Sequence, residues 1–178
     1  MKFAAHQYLL EIDSYKPGKA KIGDQKAIKL SSNENALGAS PKAIEAYKSH
    51  ATEIMRYADG SCGALRQAIA AKNGIDAERI VCGAGSDEIL AFLTSGFAGV
   101  GDEVIYSEHG FLMYPISAKR VGAKAIAVKE KNLKTDIEAI LAAITPKTKI
   151  IFIANPNNPT GSYLNKVEIE KLLSGAPK

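Results

Sequence analysis

Three short stretches gather the side chains best suited to small-molecule chemistry: "GAGSDE" (83–88), "SEHGFLMY" (107–114) and "NPNNPTG" (155–161). In the first, glycines let backbone approach a ligand closely. Ser86 and Asp87 stand where a helix should begin, and the unpaired N–H groups and dipole of a helix start attract an anion. A phosphate is the natural guest, and a tight β-to-α turn with Ser86 as N-cap reads the same residues equally well. The stretch has neither the glycine spacing of a dinucleotide fingerprint nor a Walker lysine. In the second stretch, Phe111 offers a face on which a planar ring could stack, although core packing is the commoner use of an aromatic. In the third, prolines fix the backbone and Gly161 permits a turn. Such a rigid loop holds the amide of Asn158 against a ligand oxygen at little entropic cost. A plain turn needs only one proline or glycine, so seven turn-formers and amides in succession point to a binding role.

The elements that must position these stretches alternate. Ser40-Pro41 reads as an N-cap with proline at the first helical position, and "KAIEAYKSHA" follows as an amphipathic helix. "GALRQAIAAKNG" is a second helix, with Leu65, Ala68 and Ile69 on one face and Gly74 just past its end. "RIVCGAG" reads as a short strand, and "SDEILAFLTSGFA" as a helix with acidic residues in its first turn. "DEVIYSE" is a strand; "FLMYPISAKRVG" is a helix with Pro115 in its first turn or at a kink. "AKAIAVKE" is a strand, and "TDIEAILAAI" a helix that Thr135 and Glu138 start as a capping box. In that helix Ile137, Ile140, Leu141 and Ile144 recur at i, i+3, i+4 and i+7. "TKIIFIAN" is a strand, and Asn165 with Glu168 caps a last helix through "KVEIEKLL". The order β-α-β-α-β-α-β-α after a loop-rich arm predicts an α/β fold: a parallel sheet with helices on both faces. Ligands bind beyond the carboxyl ends of the strands in such sheets, where the three stretches fall.

Composition excludes several other classes. The 178 residues are 46% apolar and 24% charged, with a net charge of +4. Lys and Arg are spread along the chain among acids rather than gathered into a nucleic-acid patch. The densest run, "KEKNLK" (129–134), reads as a solvated loop. No apolar run reaches the length of a membrane span. Two cysteines, Cys62 and Cys82, and three histidines form no metal or disulfide pattern. The first twenty residues lack the continuous apolar stretch of a signal peptide and carry Glu11 and Asp13. A cytoplasmic protein is the expectation.

An anion at 86–87, a flat ring at Phe111 and a ring oxygen at Asn158 together suit a phosphorylated aromatic with a phenolic oxygen. Pyridoxal 5′-phosphate (PLP) has that shape. Five blocks, "LSSNENALG" (30–38), "RYADGSCGALRQAIA" (56–70), "GAGSDEIL" (83–90), "YSEHGFLMY" (106–114) and "NPNNPTG", stand in an order that resembles fold-type I PLP-dependent aminotransferases of class I/II. Within these, the pattern is most similar to the histidinol-phosphate aminotransferase family. The resemblance implies the three-layer α-β-α large domain of aspartate aminotransferase-like enzymes. Residues 1–40 would form an N-terminal arm and part of a small domain, and 41–178 the first half of the large domain. It implies that Ser86 and Asp87 hold the cofactor phosphate, that Phe111 stacks on the pyridine ring, and that Asn158 donates to the phenolic oxygen. Tyr57 would reach the cofactor phosphate of a neighbouring subunit in a homodimer. Asn33, Glu34 and Asn35 would border the substrate pocket, and Tyr15 lies where relatives place a substrate-contacting aromatic. Ala36 replaces a proline usual in the family, and Phe111 a frequent tyrosine.

The implied activity is transfer of an amino group between histidinol phosphate and 2-oxoglutarate, a step of histidine biosynthesis. Only the first half of the family's pattern is covered. The Schiff-base lysine, the aspartate at the pyridinium nitrogen and the arginine that clamps the substrate carboxylate would lie beyond Lys178. No lysine present stands in the Schiff-base context, so the 178 residues alone are expected to be inactive. In the resembling fold, the strand at 79–85 is separated from "TKIIFIAN" by strands that come later. Alternatives are another class I/II PLP enzyme, such as an aromatic aminotransferase or a threonine-phosphate decarboxylase, and a non-catalytic half-domain that binds a partner. A nucleotide-binding doubly wound domain leaves the Asn-Pro loop unexplained.

Overall fold

A computed structural model describes residues 5–13, 21–22, 25–26, 28 and 33–177; Tyr15 lies outside them. In chain order the elements are α1 (Gln7–Leu10), β1 (Lys21–Ile22), β2 (Gln25–Lys26), α2 (Pro41–His50), α3 (Gly63–Asn73), α4 (Ser86–Phe97), β3 (Glu103–Ser107), α5 (Met113–Arg120), β4 (Lys124–Val128), α6 (Ile137–Ala142), β5 (Thr148–Phe152) and α7 (Lys166–Gly175). They fall into two compact units. One comprises Met1–Asp13 with Val81–Lys178, the other Ser14–Ile80.

The larger unit is built on a parallel sheet in the order β4-β3-β5. Val104 pairs with Ala125 on one side and Ile150 on the other. Side chains alternate across a strand, and neighbouring residues of β3 therefore serve different cores. Val104 packs with Leu90 of α4, Tyr114 and Ala118 of α5, and Phe152. Ile105 packs with Ile137 and Ile140 of α6, Leu172 of α7, Val128 and Leu164. Helices thus cover both faces, as the alternating pattern requires. Full burial of one such side chain, Ile140 for example, contributes on the order of 1.5–3 kcal/mol.

Pro115 sits in the first turn of α5, where its missing N–H costs nothing. The capping box of α7 is present, with Asn165 accepting from Glu168 N–H at 3.0 Å and Glu168 accepting from Asn165 N–H at 2.8 Å. The start of α6 corrects the sequence reading: Asp136, not Thr135, is the N-cap, and its carboxylate accepts from the N–H groups of Glu138 and Ala139. Thr135 is buried, and its hydroxyl donates instead to Ser107 Oγ.

The stretch "RIVCGAG" forms no strand. Ile80 has extended backbone (φ −109°, ψ 125°), and Val81 is 73% exposed. An extended run becomes a strand only when a neighbour completes its ladder, and none among the described residues does so.

In the smaller unit, Ser40 Oγ accepts from Ala43 N–H at the start of α2. Gly74 ends α3 in the left-handed conformation (φ 66°) that glycine tolerates best. Arg66 holds α3 to the following turn through two bonds to the Ala77 carbonyl (3.0 and 2.7 Å) and an ion pair with Glu78 (3.0 Å). None of the described side chains on α2 or α3 is buried, and Leu65 is 53% exposed.

Candidate cofactor site

Only five residues separate the end of helix α4 from the start of β3, so the helix C-terminus lies toward the sheet's N-terminal edge. It spans about 18 Å, and a five-residue strand spans about 17 Å. Packed against the sheet, α4 therefore presents Ser86 and Asp87 toward the edge where β3 and β5 end. Gly85 is its N-cap, with φ 89° and ψ 175°. That backbone geometry is accessible to glycine almost alone. Glu88 bends back to accept the Ala84 N–H at 2.7 Å, which fixes the turn. The amides of Ser86 and Asp87, in the first turn, have no acceptor within the helix. Both residues are exposed.

After β3 the chain turns sharply. Gly110 N–H donates to Ser107 O at 2.7 Å. A Cβ on Gly110 would stand 2.8 Å from that same oxygen, so the turn requires glycine. Phe111 follows, half-buried, its ring perpendicular to that of Tyr114 with centroids 5.9 Å apart. Tyr114 in turn stacks on Phe152 at 4.9 Å. Burial pushes the Tyr114 hydroxyl above the usual tyrosine range, which keeps it protonated. Phe111 is thus tied into the core on the α4–α5 face.

After β5 the three asparagines take different tasks. Asn155 closes a two-bond ring with Leu164, donating Nδ2 to its carbonyl (3.0 Å) and accepting its N–H at Oδ1 (2.8 Å). Asn157 is buried, and its Nδ2 donates to the His109 carbonyl (3.3 Å) and to Thr160 Oγ1 (2.8 Å). Its backbone holds the loop through Ser162 O (2.7 Å) and Gly161 N–H (2.8 Å). Asn158 has no side-chain hydrogen bond among the described residues and is partly exposed. Most of the amide and proline richness of this loop is therefore architecture, and one amide is left over. Both X-Pro bonds, Asn155-Pro156 and Asn158-Pro159, are cis.

The Asn157–His109 bond joins the loop that carries Asn158 to the turn that carries Phe111. A depression of about 500 Å³ on the flank of α4 includes Asp87 and Arg120 but neither Phe111 nor Asn158. The arm residues and Tyr57 belong to the other unit. There Asn33, Glu34 and Asn35 are exposed, and Asn35 builds a local turn through Leu37 N–H and Gly38 O (both 3.0 Å). Tyr57 is fully exposed.

Sequence reasoning missed Glu130. Its run reads as a solvated loop, yet its side chain is 2% exposed. It accepts from Ser107 Oγ (2.6 Å) and His109 N–H (3.2 Å), with His109 Nδ1 also at 3.2 Å. The partners lie 21 and 23 residues away, so no local pattern reveals them. Among the described residues no cluster of three or more His, Cys, Asp or Glu could hold a metal, and no helix is long and apolar enough to cross a membrane.

The family model for aminotransferase class I and II matches residues 25–178. The chain belongs to the class I and II aminotransferases. It is 53% identical over 168 residues to the histidinol-phosphate aminotransferase of Paramagnetospirillum magneticum, which covers 94% of this chain and 46% of that protein. To the enzyme of the same name from Ruegeria pomeroyi it is 45% identical over 177 residues, 99% of this chain and 49% of that one. The chain thus spans about half the length of the curated relatives it matches. The fold is that of histidinol-phosphate aminotransferase from Sinorhizobium meliloti in complex with pyridoxal-5′-phosphate: TM-score 0.82, 24% identity, 99% of this chain and 49% of that one. A putative histidinol-phosphate aminotransferase from Erwinia carotovora gives a TM-score of 0.78 at 28% identity, covering 92% of this chain and 47% of that one. As an aminotransferase-family chain, it carries the expected α/β architecture, here with a sheet of three strands.

Proposed function

We propose that this chain is the cofactor-cradling first half of a histidinol-phosphate aminotransferase, with residues 41–178 opening the large domain. The observation that carries the reading is identity of 45–53% to enzymes of that name over nearly all of the chain. The local chemistry fits PLP. First-turn amides at Ser86 and Asp87, entered through a backbone only glycine adopts, suit its phosphate. Phe111 is held at the end of β3 by Tyr114 and suits a planar ring. The uncommitted amide of Asn158 suits the phenolic oxygen. When bound, the cofactor supplies an electron sink for bond breaking at the α-carbon of an amino substrate.

The residues present bind and orient rather than move protons. Ser86 and Asp87 anchor one end of the ligand, Asn158 fixes its rotation, and Phe111 limits its tilt. Tyr57 serves the partner subunit's cofactor in a homodimer, and Asn33, Glu34 and Asn35 line the substrate side. None of the lysines stands in the Schiff-base context, so these residues alone are expected to bind without turnover.

The test is complementation. The chain is co-expressed with the C-terminal half of the Paramagnetospirillum magneticum relative, and amino transfer to 2-oxoglutarate is assayed. Histidinol phosphate as the preferred donor supports the reading. Preference for phenylalanine or tyrosine, or no transfer from a folded complex, refutes it.

A further inference from the structure

We infer that Glu130 is a positioning residue for the cofactor site, a carboxylate that links, directly and through His109, the C-terminal ends of the three parallel strands. The inference rests on the PLP reading above for its functional part. Glu130 stands two residues after β4. Its Oε1 accepts the Ser107 hydroxyl at the end of β3 and the His109 N–H in the turn beyond it. Its Oε2 faces His109 Nδ1, which donates in the tautomer protonated there. Thr135, just before α6, donates to Ser107 Oγ and extends the chain of bonds. His109 then passes the restraint on, because its carbonyl accepts from Asn157 in the loop after β5. Phe111 is two residues from His109, and Asn158 is adjacent to Asn157.

Burial gives this arrangement its weight. Ser107 and Thr135 are 4% and 7% exposed, and the Glu130 side chain 2%. Hydrogen bonds to a carboxylate in such surroundings are stronger than neutral ones. Removing the carboxylate leaves the Ser107 hydroxyl and the His109 amide without their acceptor. Among the described residues neither Phe111 nor Asn158 shares a hydrogen bond with Glu130, so its effect on a ligand is exerted through the turn and the loop.

The experiment uses the full 178-residue chain with pyridoxamine 5′-phosphate as probe, because this form has no aldehyde to react with surface lysines. Affinity, urea stability and ¹H–¹⁵N amide signals are recorded for wild type, Glu130→Ala, Glu130→Gln and Asn165→Ala. The last is a control that weakens the α7 cap away from the site. Glu130→Ala should weaken binding about tenfold and shift the amide signals of both Phe111 and Asn158. Glu130→Gln keeps an oxygen acceptor for Ser107 and His109 and should restore most of both. Asn165→Ala should lower stability and leave affinity unchanged. The inference is overturned if Glu130→Ala leaves the Phe111 and Asn158 signals in place, or if Asn165→Ala weakens binding as much as Glu130→Ala does. A wild-type chain that does not bind the probe overturns the PLP reading and the ligand part of this inference; the amide shifts then decide the coupling alone.

Discussion

Asn155 and Leu164 are paired through both polar atoms of the asparagine amide, which stands in for a missing stretch of strand ladder. Three residues on, Asn158 has the same side chain and no such task. The loop therefore separates a structural asparagine from an available one within four positions. Asn155→Ala should cost about 1–2 kcal/mol, because Leu164 is buried and its N–H loses its acceptor. Asn158→Ala should leave stability unchanged within about 0.5 kcal/mol and weaken pyridoxamine 5′-phosphate binding. Urea titrations and equilibrium binding on both variants check the contrast; equal stability losses would remove it.

Gly110 should not tolerate a side chain. An alanine Cβ would press on the Ser107 carbonyl at 2.8 Å, a backbone atom that cannot swing aside. Gly110→Ala is expected to destabilise by about 1–3 kcal/mol and to displace Phe111. Amide shifts confined to residues around 107–114, with lowered urea stability, are the signature.

The start of α6 should respond to pH. Asp136 caps the helix, and its carboxyl is held below the usual range, first by its hydrogen bond to Lys131 at 2.7 Å. Glu168 is shifted the same way by Lys134, then by the Asn165 N–H. A carboxyl with a lowered folded pKa stabilises above its unfolded pKa, and this contribution is lost as pH falls through the folded value. Asp136→Ala should therefore cost about 1 kcal/mol near neutrality. The gap to wild type should shrink below about pH 4, where the unfolded carboxyl begins to protonate, and close as pH falls through the lower folded value. A gap that grows on acidification contradicts the assignment.

The tight turn at Asn132 and Leu133 offers a gain. Both residues have positive φ, 54° and 59°, and Leu133 is 54% exposed. Asn-Gly is the favoured pair for such a turn. Leu133→Gly should relieve the left-handed backbone at little burial cost. A net stabilisation of about 0.5 kcal/mol is expected, the relief exceeding the chain entropy that glycine adds. Ser162 keeps its bond to the residue 133 carbonyl, which any side chain leaves in place. A loss of stability in the urea midpoint would show that Leu133 is held by contacts rather than strained.

Local chemistry was legible in the sequence, and pairing at a distance was not. The caps at Ser40 and Asn165 and the glycine stop at Gly74 depend on residues within four positions, and all are present. The reading of 79–85 as a strand failed because extended, apolar residues need a neighbour the local sequence does not supply. Thr135 and Asp136 are both good caps, and only the buried Ser107 hydroxyl decides which serves. Likewise the three asparagines of the Asn-Pro loop are chemically identical in the sequence. Leu164 and His109, nine and 48 residues away from their partners, tell them apart.

The most direct test is a titration of the folded chain with pyridoxamine 5′-phosphate, followed residue by residue through amide signals. Saturable binding that shifts Ser86, Asp87, Phe111 and Asn158 together is the expected result. No saturable binding, or shifts gathered around Arg120 on the flank of α4 with Phe111 and Asn158 unmoved, would contradict a cofactor cradle at the ends of these strands.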